Sequence, residues 1–85
     1  MKILNSDLKI NIIYCRIANY HLLAQNISND IKEEFENVKI SLFKKGGGVF
    51  DIEVDNKLLF SKHIKNRLPK ENEIINLIRE FIIGK

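Results

Sequence analysis

Cys15 is the residue of this chain best equipped to do chemistry. It is the only cysteine among 85 residues, so no disulfide can close within the chain. Any thiol reaction must run through one sulfur atom. The nucleophile of such a reaction is the thiolate, whose abundance is set by nearby charge and by burial. Cys15 stands at a junction. Before it, Leu8, Ile10, Ile12 and Tyr14 alternate with Lys9, Asn11 and Ile13, the period of a strand. After it, Tyr20, Leu23, Ala24, Ile27, Ile31 and Phe35 recur at helical spacing. A cysteine between a strand and a helix lies where open α/β sheets place their ligands. The positive end of the helix and the adjacent Arg16 both favour the thiolate. The plainer alternative is a small buried apolar residue.

Other reactive groups form no comparable set. His21 and His63 are far apart and have no Cys/His spacing around them, which argues against a metal site. His21 falls in the first turns of the helix and reads as a surface residue. Gly46, Gly47 and Gly48 precede a strand, with no Gly-Lys-Ser/Thr after them, which excludes a P-loop. Glu33, Glu34 and Glu36 read as a solvated helix end.

The elements that position Cys15 follow from the same patterns. The spacing predicts a strand over 8–14, a helix over 18–36 and a strand over 38–43. A third strand follows over 49–54 and a fourth over 57–61, joined by the tight-turn pair Asp55-Asn56. A polar loop runs over 62–70. A last helix covers 71–83, with Pro69 before it and Gly84 as its stop. The order β-α-β-β-β-α makes one domain over 1–85. Its first β-α-β unit is a right-handed parallel crossover. Each helix has a single apolar stripe, so both must cover one face of a mixed four-stranded sheet. The fold class is an α/β two-layer sandwich.

This topology gathers positive charge around Cys15. Lys44 and Lys45 end the second strand at the same pole, and Lys62, His63, Lys65 and Arg67 follow the fourth. A cationic rim would attract an anionic thiol such as glutathione. The opposite sheet face, with Ile13, Phe43, Val49 and Leu59, is a candidate surface for a partner or a second copy of the chain. The net charge of +3 is too mild for a strong nucleic-acid binder. No run reaches the roughly 18 apolar residues of a membrane span. With no signal-like segment and no possible internal disulfide, a cytoplasmic location is expected.

The residues also resemble a known family. The strand ending in Tyr14-Cys15, the block from Gly47-Gly48-Val49-Phe50 to Ser61-Lys62, and Asn66-Arg67-Leu68-Pro69 together resemble the selenoprotein W-like (Rdx) family of thioredoxin-like proteins. The resemblance covers about residues 9 to 83. It implies a thioredoxin-like fold and thiol or selenol redox chemistry linked to glutathione or protein thiols. Its redox motif is Cys-x-x-Cys or Cys-x-x-selenocysteine, whose first position maps onto Cys15 and whose second maps onto Ala18. Alanine there leaves no resolving thiol. The resemblance makes Cys15 the catalytic candidate, with Arg16, Ala18, Gly47, Gly48, Phe50, Lys62 and Arg67 as its binding surroundings. Three roles are open to such a chain: monothiol redox protein or thiol carrier, carrier of a selenium or sulfur atom, or non-catalytic binding module. No resident cofactor is expected beyond a thiol-bound glutathione or selenium.

Overall fold

The computed structural model describes residues 2–17 and 19–84. Strand β1 (Leu8–Cys15) lies inside a four-stranded sheet of order β2-β1-β3-β4. β2 (Val38–Lys45) pairs parallel to it, with Ile12 opposite Leu42 and Cys15 opposite Lys45. β3 (Phe50–Val54) pairs antiparallel on the other side, with Tyr14 opposite Phe50. β4 (Lys57–Ser61) closes the hairpin with β3. The turn between them sets both Asp55 and Asn56 at positive φ, the geometry that matches strand twist in a two-residue hairpin.

The alternation in β1 sorts side chains as expected. Leu8, Ile10, Ile12 and Tyr14 are buried, and Phe50, Ile52 and Val54 meet them from β3. Helix α1 (Tyr20–Glu34) lays Ala24 and Ile31 on this surface, and Phe35 follows it into the core. Helix α3 (Glu73–Ile83) adds Ile74 and Ile78. The two-layer α/β arrangement is therefore the one that the apolar stripes require. Among the described residues, no helix is long and apolar enough to cross a membrane.

Several boundaries differ from the sequence reading. β1 and β2 run on to Cys15 and Lys45, because the parallel ladder continues to that pair. α1 begins at Tyr20 rather than 18, and α3 at Glu73 rather than 71, where Asn72 takes a left-handed φ of 65°. The polar loop contains a short helix, α2 (Lys62–Lys65), which Asn66 terminates in the left-handed region. Leu59 is the extra residue of a bulge in β4 and packs against the core, so it does not join Ile13 and Phe43.

An ion pair locks the entry to α3. Both guanidinium nitrogens of Arg67 donate to Glu73, at 2.7 and 2.9 Å, and the Lys70 N–H donates to it at 2.8 Å. The Arg67 hydrogen bonds, then that of the Lys70 amide, hold the Glu73 carboxyl at about 2, down from 4.5. A depressed folded-state pKa stabilises the fold above the unfolded value and loses that contribution as pH falls through the folded one. Wild-type protein should therefore lose melting temperature more steeply than Glu73→Gln between about pH 5 and pH 2. Thermal melts of both proteins across that range check it.

Candidate functional site

The site is built at the end of β1 where β2 also finishes and β3 begins. The Cys15 N–H donates to the Val49 carbonyl at 2.8 Å, and the Arg16 N–H donates to the Lys45 carbonyl at 2.9 Å. Cys15 is thus gripped by backbone from both neighbouring strands. Its side chain is buried, with 4% of its surface exposed. Arg16, Ile17 and Asn19 lie between it and the helix, so Cys15 does not cap α1. The helix dipole fades within about one turn, and the charges that bear on Cys15 are therefore mainly those of side chains.

Lys62 is the charge whose place at the glycine turn is fixed by contacts. Its Nζ sits 5.8 Å from the Tyr20 ring centroid, in cation–π range, and Tyr20 packs edge-on against Phe50 with centroids 6.0 Å apart. The same Nζ would lie 3.7 Å from a Cβ placed on Gly48. Gly47 and Gly48 have φ of 74° and 71°, a conformation that costs other residues about 1–2 kcal/mol. The glycine turn thus brings Val49 onto Cys15 and meets the Lys62 ammonium. Lys44 and Lys45 are exposed beside it. The two ion pairs of the described residues, Arg67–Glu73 and Arg79–Glu34, include none of Arg16, Lys44, Lys45 and Lys62.

The structure sorts the expected site residues into three groups. Cys15, Arg16, Gly47, Gly48 and Lys62 come together at this pole. Phe50 is wholly buried and supports Tyr20 from beneath, offering no surface of its own. Arg67 is occupied by Glu73, and its guanidinium lies 5.8 Å from the Phe60 ring centroid. It serves the α3 junction instead of the cationic rim. Ala18 lies outside the described residues.

One pair has no counterpart in the sequence reading. The Tyr14 hydroxyl and His21 Nδ1 are 3.0 Å apart, linking the residue before Cys15 to the first turn of α1. A tyrosine alternating into the core gives no sequence signal for a partner, since only the helix phase brings His21 over it. Among the described residues, no three His, Cys, Asp or Glu side chains cluster as a metal site would require.

The sequence pattern of the Rdx family matches residues 9–80. The chain belongs to the Rdx family. Curated relatives include Migration and invasion enhancer 1 of Mus musculus, 28% identical over 80 residues, covering 94% of this chain and 70% of that protein. The Bos taurus protein of the same name is 28% identical over 77 residues, covering 91% and 67%. Among solved structures, a selenoprotein W-related protein of Vibrio cholerae superposes with a TM-score of 0.72 at 25% identity, covering 91% of this chain and 99% of that one. A Bordetella parapertussis protein shares the fold, with a TM-score of 0.68 at 20% identity and coverage of 89% and 99%. This Rdx chain therefore has the thioredoxin-like architecture of selenoprotein W-related proteins.

Proposed function

We propose that this protein is a monothiol redox protein or thiol carrier, forming a mixed disulfide at Cys15 with glutathione or a protein thiol. The observation that carries the reading is the Lys62 ammonium, held on Tyr20 against the glycine turn whose Val49 carbonyl binds the Cys15 amide. Burial of a thiol opposes ionisation, and a nearby cation favours it. On this reading Lys62, with Arg16 and Lys45, outweighs the burial.

The exchange is balanced without an added oxidant. The Cys15 thiolate attacks one sulfur of glutathione disulfide. A Cys15–glutathione bond forms, the original S–S bond breaks, and the departing glutathione thiolate takes up a proton. With alanine at position 18, release requires a second thiol molecule to attack the mixed disulfide. Such a cycle suits a reducing compartment such as the cytoplasm.

The 4% exposure of Cys15 favours a second reading, a binding module that keeps the family fold without its chemistry. Mass measurement after incubation with glutathione disulfide separates the two. Native wild-type protein should gain one glutathione and Cys15→Ser none. A native protein that stays unmodified while its urea-unfolded form reacts would leave only the binding module.

A further inference from the structure

We propose that the free edge of β2 takes up an extended segment of another protein as a fifth strand, one in which apolar residues alternate with acidic ones. β2 stands at one end of the sheet order β2-β1-β3-β4, so within the sheet only β1 pairs with it. The phase of that pairing follows from its two ends. The Leu8 N–H donates to the Asn37 carbonyl, and the Arg16 N–H donates to the Lys45 carbonyl. With Leu8 opposite Val38, a parallel ladder then turns the backbone groups of Lys39, Ser41 and Phe43 toward β1. Those of Val38, Ile40, Leu42 and Lys44 turn outward. Among the described residues, no other backbone segment hydrogen-bonds to these outward groups. The strand runs 8 residues in unbroken register. Proteins commonly shorten, bulge or cover such an edge, because it is a template for another strand.

The side chains along the edge say what fits it. Val38, Ile40 and Leu42 lie on the helix side of the sheet and pack against the core, yet each is only half-buried. β1 covers their inner flank. A fifth strand would cover the outer flank with apolar residues of its own. The charged residues of β2 are Lys39, Lys44 and Lys45, all exposed, and β2 holds no carboxylate. None of the three belongs to either ion pair of the described residues. Lysines on an edge deter a like strand. A second copy of β2 would double the lysines without adding a carboxylate. An acidic segment answers them instead. Its carboxylates fall beside Lys39 and Lys45 on one face, and its apolar residues fall beside Val38, Ile40 and Leu42 on the other. Main-chain hydrogen bonds supply affinity in such a strand addition, and the alternation supplies specificity. Lys39 pairs with Lys9, at the far end of β1 from Cys15, so this contact is separable from thiol chemistry.

Amide hydrogen exchange followed by NMR tests it, with an end-blocked peptide as long as β2 that alternates valine and glutamate. In the free protein the amides of Val38, Ile40, Leu42 and Lys44 should exchange faster than those of Lys39, Ser41 and Phe43. The peptide should slow the outward amides several-fold, with a dissociation constant on the order of 1 mM or tighter. A peptide alternating valine and lysine should leave them unchanged. Lys39→Glu, a surface substitution whose folding the same spectra report, should weaken binding about fivefold, since glutamate then meets glutamate. Outward amides that stay fast at about 5 mM of the glutamate peptide overturn the proposal. So does equal slowing by the lysine peptide, or an affinity that Lys39→Glu leaves unchanged.

Discussion

Replacing Phe50 by alanine is expected to cost about 3–5 kcal/mol, roughly half of what holds a domain of this size folded. Phe50 is fully buried, opposes Tyr14 across the β1–β3 pair and takes the edge of Tyr20. Deleting its ring removes transfer energy and leaves a cavity between the sheet and α1 that rigid neighbours cannot fill. A domain this short has a total stability on the order of 5–10 kcal/mol. Little margin remains. Phe43→Ser is the instructive contrast. Its ring is half-exposed on the other sheet face, and its loss should stay within about 1 kcal/mol. Urea titration followed by circular dichroism measures both. A loss at Phe50 no larger than that at Phe43 would mean that the core does not continue beneath the site.

Lys62 should govern the reactivity of Cys15. Lys62→Glu is expected to slow alkylation of Cys15 at neutral pH about tenfold, equivalent to about one unit in the thiol pKa. Lys62→Met keeps much of the apolar stem and loses the charge, so it should fall between the two. Rates of iodoacetamide alkylation, followed by mass, check the order wild type, methionine, glutamate. If methionine reacts as fast as wild type, the charge of Lys62 has no role.

Much of the architecture was legible because burial writes itself as period. The alternation from Leu8 to Tyr14 and the stripe from Tyr20 to Phe35 each have one face to bury, and the structure buries those faces. Asp55-Asn56 announced a hairpin because few residues accept two successive left-handed conformations. What was not legible has no burial signature. α2 is a single turn whose Ile64 is 70% exposed, so no stripe marks it. The start of α3 depends on the left-handed Asn72, a backbone choice invisible to hydrophobic spacing. The bulge at Leu59 moves one side chain from one face to the other and defeats simple alternation.

The site was legible in part. Topology brings Lys45 and Lys62 toward the end of β1, as the element order implies. Arg67 looked like another member of the rim. It is removed by a bidentate pair with Glu73 that depends on the turn at Lys70. Phe50 stands within the family-like block, yet its strand phase points it into the core. The burial of Cys15 is set by tertiary packing around the strand end, which a lone cysteine in a sequence does not encode.

The most direct test of thiolate chemistry at this site is the pH dependence of Cys15 alkylation in the folded wild-type protein. The expected result is a single titration clearly below the ordinary thiol value of about 8.5, in a protein that also accepts one glutathione. An apparent pKa at or above that value, with no glutathione adduct on the native protein, would contradict it. Desolvation would then dominate at Cys15, whatever positive charge surrounds it.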